Sequence, residues 1–252
     1  MVLVHGGAHG AWCWEPMLRF VGTRALAIDL PPKSVRGVPA QDPPPVELLT
    51  TTLEDFATSV IADIDAAGID RFVLVGHSMG GLTICEVARR IPDRVEHLVF
   101  VSCMVPIEGC VAADAVPSSV DDDVRDVLAD ARDDHQIGLA EATIRAMFCN
   151  DMTEEQAQVV LSHTGAEVMG IFAERITRKG IPPELPKTWI RLLRDQALTP
   201  TDQDAAVAAL RASPGGDIDV VDLDAGHDAM ISAPQELGAI LREIAAASVR
   251  PE

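Results

Sequence analysis

The segment Gly76–Gly80, with the sequence Gly-His-Ser-Met-Gly, constrains the fold more than any other feature of the chain. It follows the apolar run Phe72–Val75 and leads into Gly81–Ala88, a small-residue segment of helical character. Glycines two residues before and two residues after Ser78 allow a sharp turn between a strand and a helix. Such a turn exposes the serine at the N-terminus of the helix, where developing negative charge is favoured. The pattern therefore predicts that Ser78 is a nucleophile.

Short apolar runs alternate with longer helical patterns along the chain, which is typical of a parallel sheet covered on both faces. The predicted strands are Val2–Val4, Ala25–Ile28, Phe72–Val75, Leu98–Val101, Trp189–Leu193 and Ile218–Val221. A proline-rich loop over Pro31–Pro45 and a helix near Leu53–Ala67 separate the second strand from the third. The sequence thus predicts a fold of the α/β class.

The length of 252 residues suits a single α/β domain, 1–252, that carries an insertion. Between about residues 106 and 186 the sequence is acidic, helical and without strand patterns, as in Asp121–Asp134 and Ala140–Phe148. We expect this insertion to form a helical cap over the carboxyl ends of the strands. The core is then made of residues 1–105 and 187–252.

A serine nucleophile needs a base that takes its proton and a third group that orients this base. The last predicted strand runs into Asp222–His227, so His227 lies in a loop just past a strand end. It is the one of the seven histidines that has this placement. We therefore predict His227 as the base. His77, which directly precedes Ser78 in the serine motif, is expected to be a packed side chain.

The orienting acid is predicted at Asp195, which follows the strand Trp189–Leu193 and precedes a helix that begins at a proline. The strand-end position at Ser102 and Cys103 carries no carboxylate. Four other aspartates remain alternatives for this role: Asp202, Asp204, Asp222 and Asp224.

The loop His5–Ala8 directly follows the first predicted strand and contains two adjacent glycines. Its backbone can approach a reacting carbonyl closely, as an oxyanion hole requires. We assign the two donors to the backbone N–H groups of Gly7 and Met79. An ordinary glycine turn is the alternative. A phosphate cradle is disfavoured, because the chain has neither a G-x-G-x-x-G motif nor a Walker lysine.

Charge excludes two classes of partner. The chain has 39 acidic and 20 basic residues, a formal charge of −19, and no basic stripe, so nucleic acid and anionic membranes would be repelled. The five cysteines lack C-x-x-C pairing, which favours reduced thiols over disulfides or a zinc site. The N-terminal residues have no signal-peptide pattern. We expect a cytoplasmic protein that needs no cofactor or metal; its oligomeric state is left open.

Three segments together resemble the α/β-hydrolase superfamily: His5–Trp14, Gly76–Gly81 and Gly226–Pro234. Within it they resemble the compact branch of plant methylesterases, hydroxynitrile lyases and their bacterial esterase relatives. The resemblance covers nearly the whole chain and is weakest in the expected cap. It implies an α/β-hydrolase fold with a mainly parallel six-stranded sheet, and a Ser-His-Asp triad at Ser78, His227 and Asp195.

Two positions depart from the hydroxynitrile lyases that the chain resembles. Those enzymes have threonine or asparagine where this chain has Gly6, and the S-selective ones have lysine where it has Asp228. Glycine cannot hydrogen-bond a cyanohydrin hydroxyl, and a carboxylate disfavours a cyanide leaving group. A serine nucleophile also argues against the dehalogenases and epoxide hydrolases of the superfamily, which require aspartate at that position. Hydrolysis of a small-molecule ester or lactone is therefore the predicted activity.

Other activities share part of this pattern. A thioesterase or an acyltransferase would use the same triad, and the hydroxynitrile lyases stay an alternative despite the two departures. A receptor that binds a small molecule without catalysis is a different class that the same fold supports. Covalent labelling of Ser78 separates this last class from the enzymes.

Overall fold

Six parallel strands form the centre of the molecule in the computed structural model, which describes residues 1–35, 45–116, 139–213 and 215–248. Their order across the sheet is β2-β1-β3-β4-β5-β6, and every neighbouring pair is parallel. The strands are β1 (Val2–Val4), β2 (Leu26–Ile28), β3 (Phe72–Ser78), β4 (Val95–Cys103), β5 (Lys187–Leu192) and β6 (Asp219–Leu223). Their carboxyl ends share one edge of the sheet, and Ser78 at the end of β3 is in register with Cys103 at the end of β4.

Burial on both faces explains why the central strands β1 and β3 are almost continuously apolar. In β3, Phe72 and Leu74 pack into one hydrophobic cluster, and Val73 and Val75 pack into the other. Successive side chains of a strand point to opposite faces, so each face of the sheet receives every second residue. Helices cover both clusters and exclude water from the sheet.

Nine α-helices surround the sheet in the described ranges. They are α1 (Glu15–Leu18), α2 (Val46–Thr50), α3 (Leu53–Ala66), α4 (Gly80–Arg90), α5 (Glu141–Phe148), α6 (Glu154–His163), α7 (Pro200–Arg211), α8 (Ala229–Ser232) and α9 (Pro234–Ser248).

Local sequence signals set where two of these helices begin. Thr52 caps α3 by accepting from the N–H of Asp55, and the Asp55 carboxylate accepts from the N–H of Thr52. Thr199 and Asp202 form the same reciprocal pair at the start of α7, where Pro200 is the first helical residue. Such capping satisfies N–H groups that have no partner within the helix.

The predicted fold class is confirmed, and all six predicted strands are present. Four of them are longer than predicted: β3 continues to Ser78, β4 runs from Val95 to Cys103, β5 begins at Lys187 and β6 continues to Leu223. The helix predicted near Leu53–Ala67 is α3. The proline-rich loop Pro31–Pro45 lies partly outside the described residues.

The segment between β4 and β5 contains α5, as predicted for Ala140–Phe148, and α6. It also contains one isolated antiparallel bridge, between Val111 and Arg175. The predicted helical stretch Asp121–Asp134 lies outside the described residues. The division into a core and a cap between about 106 and 186 stays a prediction. None of the helices in the described ranges is both long and apolar enough to cross a bilayer.

Candidate active site

The serine turn has the shape that its glycines predicted. Ser78 ends β3 with a φ of 52°, and α4 begins two residues later at Gly80. A side chain at Gly80 is impossible without movement, because its Cβ would lie 2.6 Å from the carbonyl oxygen of His5. The loop after β1 can therefore pass directly against the start of α4.

Backbone strain is concentrated at this edge of the sheet. Three non-glycine residues of the described chain have positive φ, namely Ala8 (62°), Ser78 (52°) and Ser102 (42°). Ala8 lies in the loop after β1, and Ser102 lies near the end of β4. Such conformations cost free energy and persist where the surrounding structure enforces them, most often at functional sites. The sequence pattern identified only the strained residue that lies between glycines.

The structure brings the predicted base and acid into contact. His227 Nδ1 lies 2.7 Å from Asp195 Oδ2, and both side chains are buried. Because an ionised carboxylate only accepts hydrogen bonds, Nδ1 carries the proton in this contact. The other ring nitrogen, Nε2, is then free to act as a base.

Three further donors hold the Asp195 carboxylate. The backbone N–H groups of Ala197 and Leu198 donate to Oδ1 at 2.8 and 2.9 Å. The hydroxyl of Ser102 donates to Oδ2 at 2.6 Å. Ser102 occupies the strand-end position that the sequence showed to lack a carboxylate, and here it orients the acid that β5 supplies.

The four alternative acids lie elsewhere. Asp202 belongs to the cap of α7, while Asp204 and Asp222 both pair with Arg191. Asp224 pairs with Arg194 at 3.0 Å, and its side chain is 77% exposed. Asp222 also lies within β6 and not in the loop beyond it, since this strand ends two residues later than predicted.

The loop after β1 is fixed by hydrogen bonds of His5. His5 Nε2 accepts from the N–H of Leu30 at 3.0 Å, so the ring proton is on Nδ1, which lies 2.7 Å from the carbonyl oxygen of Gly6. The Gly6 carbonyl and the Gly7 N–H belong to one trans peptide unit and point in opposite directions. Holding the carbonyl on His5 therefore turns the N–H of Gly7 away from His5.

His77 is a packed neighbour of the base. Its Nε2 lies 3.0 Å from the backbone carbonyl oxygen of His227, and the two ring centres are 4.5 Å apart. Burial, and next the charge of His227, hold the pKa of His77 well below its usual range. His77 is therefore neutral and donates from Nε2, which fixes the backbone at His227.

The sequence did not identify an ion pair beside the base. His9 Nε2 lies 2.9 Å from Asp228 Oδ2, and both side chains are buried. Phe148 of α5 packs against both histidines, with ring centres 5.1 Å from His9 and 5.5 Å from His227. His9 also stacks on Trp12, with ring centres 5.3 Å apart.

His77, His227 and Asp228 could together hold a metal ion, because one ligand atom from each lies within 4.8 Å of the others. They are the one group of three such residues found among the described residues. Binding there would engage His227 itself. The same three side chains are already used in contacts that fix the loop of the base.

Comparisons with known proteins agree with this fold. A model of the alpha/beta hydrolase family matches residues 1–240 of the chain. Methylesterase 9 of Arabidopsis thaliana is 38% identical over 109 residues, which are 42% of this chain and 40% of that protein. Probable esterase PIR7A of rice, Oryza sativa, is 36% identical over 112 residues, 43% of this chain and 40% of that protein. The match thus spans about two fifths of the length of these relatives.

Two solved structures share the fold over nearly the whole chain. An extracellular alpha/beta-hydrolase from a Paenibacillus species superposes with a TM-score of 0.74 at 22% identity, covering 97% of both chains. Polyneuridine aldehyde esterase superposes with a TM-score of 0.73 at 20% identity, covering 96% of this chain and 97% of that one.

Proposed function

The chain belongs to the α/β-hydrolase family, and from this premise we propose that it is a serine hydrolase that cleaves small-molecule carboxylic esters or lactones. The observation that carries the proposal is the buried contact of 2.7 Å between His227 Nδ1 and Asp195 Oδ2, next to a serine turn held at a φ of 52°. Relatives that bear esterase names support an ester as the substrate.

In the proposed mechanism, Ser78 attacks the ester carbonyl while His227 Nε2 takes its proton. Asp195 keeps the histidine in the required tautomer and stabilises the imidazolium that forms. The N–H groups of Gly7 and Met79 hold the oxyanion. His227 then protonates the leaving alkoxide and next activates the water that releases the acid from the acyl-enzyme. No step requires a cofactor or a metal.

The surroundings of Gly6 favour hydrolysis over cyanohydrin cleavage. A Cβ at this position would lie 2.7 Å from the Cβ of Ser78 and 3.1 Å from His77 Nδ1. The loop thus leaves no room for the threonine or asparagine that the resembling lyases carry there. Asp228, at the position of the lyase lysine, is engaged by His9 and offers no cation to a departing cyanide.

Covalent labelling and hydrolysis test the proposal together. We expect a fluorophosphonate probe to label Ser78, and short aryl or alkyl esters and lactones to be hydrolysed. Ser78→Ala and His227→Ala should each lower kcat to a similar residual level, and the double variant should be no slower, because the two residues act as one unit. Absence of labelling in folded protein would favour a receptor.

Product analysis separates the remaining enzymes. Added alcohols or thiols would trap the acyl group if the protein is an acyltransferase, and acyl thioesters would be cleaved fastest by a thioesterase. Cyanide release from mandelonitrile, measured at mildly acidic pH where the background reaction is slow, should not depend on Ser78. Release that rivals ester turnover would overturn the esterase assignment.

The proposal includes a reducing compartment such as the cytoplasm. All five cysteines are free thiols, and four of them are buried. Burial raises the pKa of Cys85 to about 12, so this thiol stays protonated and unreactive. A disulfide found by mass spectrometry in the native protein would contradict this part of the proposal.

A further inference from the structure

The buried contact between His9 and Asp228 joins two loops of the proposed active site. His9 follows the loop that carries Gly7, and Asp228 directly follows the proposed base His227. The His9 side chain is 1% exposed, and that of Asp228 is fully buried. Since 219 residues separate them along the chain, their contact ties the beginning of the fold to its end.

The hydrogen bonds of His9 define its charge. Nε2 faces the Asp228 carboxylate at 2.9 Å, and Nδ1 faces the carbonyl oxygen of Gly7 at 2.7 Å. Both partners are acceptors, so both ring nitrogens must carry a proton. His9 is therefore an imidazolium, paired with a carboxylate in a site without water contact.

This imidazolium controls the peptide unit between Gly7 and Ala8. The carbonyl oxygen of the unit accepts from His9 Nδ1 at 2.7 Å. Its N–H belongs to the strained Ala8 and donates to Glu167 Oε2 at 2.6 Å. Both ends of the unit are thus held by charged side chains. The N–H of Gly7, the proposed oxyanion donor, belongs to the preceding peptide unit, whose carbonyl lies against His5. His9 thus holds the peptide unit that directly follows this donor.

We propose that His9 and Asp228 form a positioning pair that fixes the oxyanion loop against the loop of the catalytic histidine, and that catalysis fails when His9 loses its proton. The inference rests on the proposed ester hydrolase function. Neither residue touches the reacting atoms. The pair acts through the Gly7 backbone on one side and through the position of His227 on the other.

The pKa directions agree with the geometry. Burial alone would lower the pKa of His9, but the charge and hydrogen bond of Asp228 outweigh it and raise the pKa above its usual value. Burial alone would raise the pKa of Asp228, but His9 lowers it, with smaller effects of His77 and His227. Other groups that face the pair are Glu167, His77, His227, Cys13 and Cys149.

The direction of the pH effect follows. Because the pKa of His9 is raised in the folded protein, protonated His9 contributes fully to the free energy of unfolding below about pH 6.5, the pKa of an unperturbed histidine. This contribution is lost as the pH rises through the pKa of His9 in the folded protein. Because the pKa of Asp228 is lowered in the folded protein, its contribution to the free energy of unfolding is complete above about pH 3.9, the pKa of an unperturbed aspartate. It is lost only as the pH falls through the pKa of Asp228 in the folded protein. The proposed enzyme should therefore lose activity on the alkaline side.

Nuclear magnetic resonance of the wild-type protein tests the charge without any substrate. With ¹⁵N-labelled histidine, His9 should show two protonated ring nitrogens at pH 6.5 and should titrate above that pH. In Asp228→Asn, the same ring should become neutral. A neutral His9 in the wild-type protein would overturn the proposal, whether or not the protein hydrolyses esters.

Kinetics test the positioning role. His9→Gln and Asp228→Asn should each lower kcat about 10- to 100-fold with KM within about threefold, because geometry for the transition state is lost and substrate binding is not. The double variant should be no slower than the slower single variant. The alkaline decline of kcat/KM should disappear in His9→Gln.

His163→Gln is the matched control. This exposed histidine packs on Trp12, as His9 does, with ring centres 5.1 Å apart. It should keep the wild-type pH profile. An alkaline decline that persists in His9→Gln, or additive losses in the double variant, would overturn the pair's role. Loss of fluorophosphonate labelling in the wild-type protein would instead overturn the proposed function and leave the resonance test intact.

Discussion

The strand ends of the sheet and the segment over residues 139–186 contribute to the site in different ways. The strand ends carry the groups that are proposed to react, at Ser78, Asp195 and His227. The segment between β4 and β5 supplies side chains that hold the backbone of the loops around them. The groups that are proposed to react and the side chains that hold their loops thus come from different parts of the sequence.

One side chain from this segment holds each of three loops. Glu167 accepts from the N–H of Ala8 in the oxyanion loop at 2.6 Å. Asn150 Nδ2 donates to the carbonyl oxygen of Arg194, next to the acid, at 2.8 Å. Asp151 Oδ2 accepts from the N–H of Gly226, next to the base, at 2.6 Å. The segment therefore orients the proposed catalytic groups through backbone hydrogen bonds, and changes there should tune the rate without removing the reaction.

The largest loss of rate is expected at the acid. Asp195→Asn should lower kcat by about 10⁴-fold, because an amide favours the wrong tautomer of His227 and does not stabilise its imidazolium. Asp224→Asn is the matched control, since this side chain is 77% exposed and pairs only with Arg194 among the described residues. Its kcat should stay within about twofold of wild type. A collapse in Asp224→Asn with normal rates in Asp195→Asn would reverse the assignment.

The sequence predicted most of the sheet because the central strands β1 and β3 are buried on both faces and read as apolar runs. It misplaced the start of β4, where Glu96 and His97 are polar and half-buried. Those side chains find partners in Arg71 and Thr188, which a run of apolar residues cannot reveal.

The sequence predicted Ser78, His227 and Asp195 because each follows a local signal, a glycine turn or a strand end. The pair of His9 and Asp228 has no such signal, since 219 residues separate its members. The sequence analysis treated the Asp228 carboxylate alone, whereas the structure places His9 Nε2 2.9 Å from it. Glu167 lies 159 residues from Ala8 and was missed for the same reason.

An intermediate effect is expected in the supporting segment. Glu167 accepts from the N–H groups of Ala8 and Val168 with its two oxygens. In Glu167→Gln, one of these N–H groups would face an amide NH₂, which leaves a buried donor unsatisfied at a cost of about 1–3 kcal/mol. We expect kcat to fall about tenfold and Tm to fall by about 2–10 °C. Stopped-flow ester hydrolysis and calorimetry measure these two quantities.

Glu155→Gln is the control for that change, because Glu155 is exposed on α6. It should leave both kcat and Tm unchanged. If Glu167→Gln lowered Tm but not kcat, Glu167 would stabilise the fold without orienting the oxyanion loop. Its contact with Ala8 would then give the segment over residues 139–186 no role in catalysis.

The smallest effect is expected on the outer surface of the same segment. Arg145 of α5 pairs with Glu141 at 2.9 Å and with Glu154 of α6 at 2.8 Å. Hydrogen bonds from Arg145, and next from Gln158, lower the pKa of Glu154 to about 2. Because solvent screens exposed ion pairs, Arg145→Gln should change Tm by no more than about 2 °C and leave kcat within about twofold. A rate loss as large as that of Glu167→Gln would mean that the packing of α5 against α6, and not the three inward contacts alone, orients the loops.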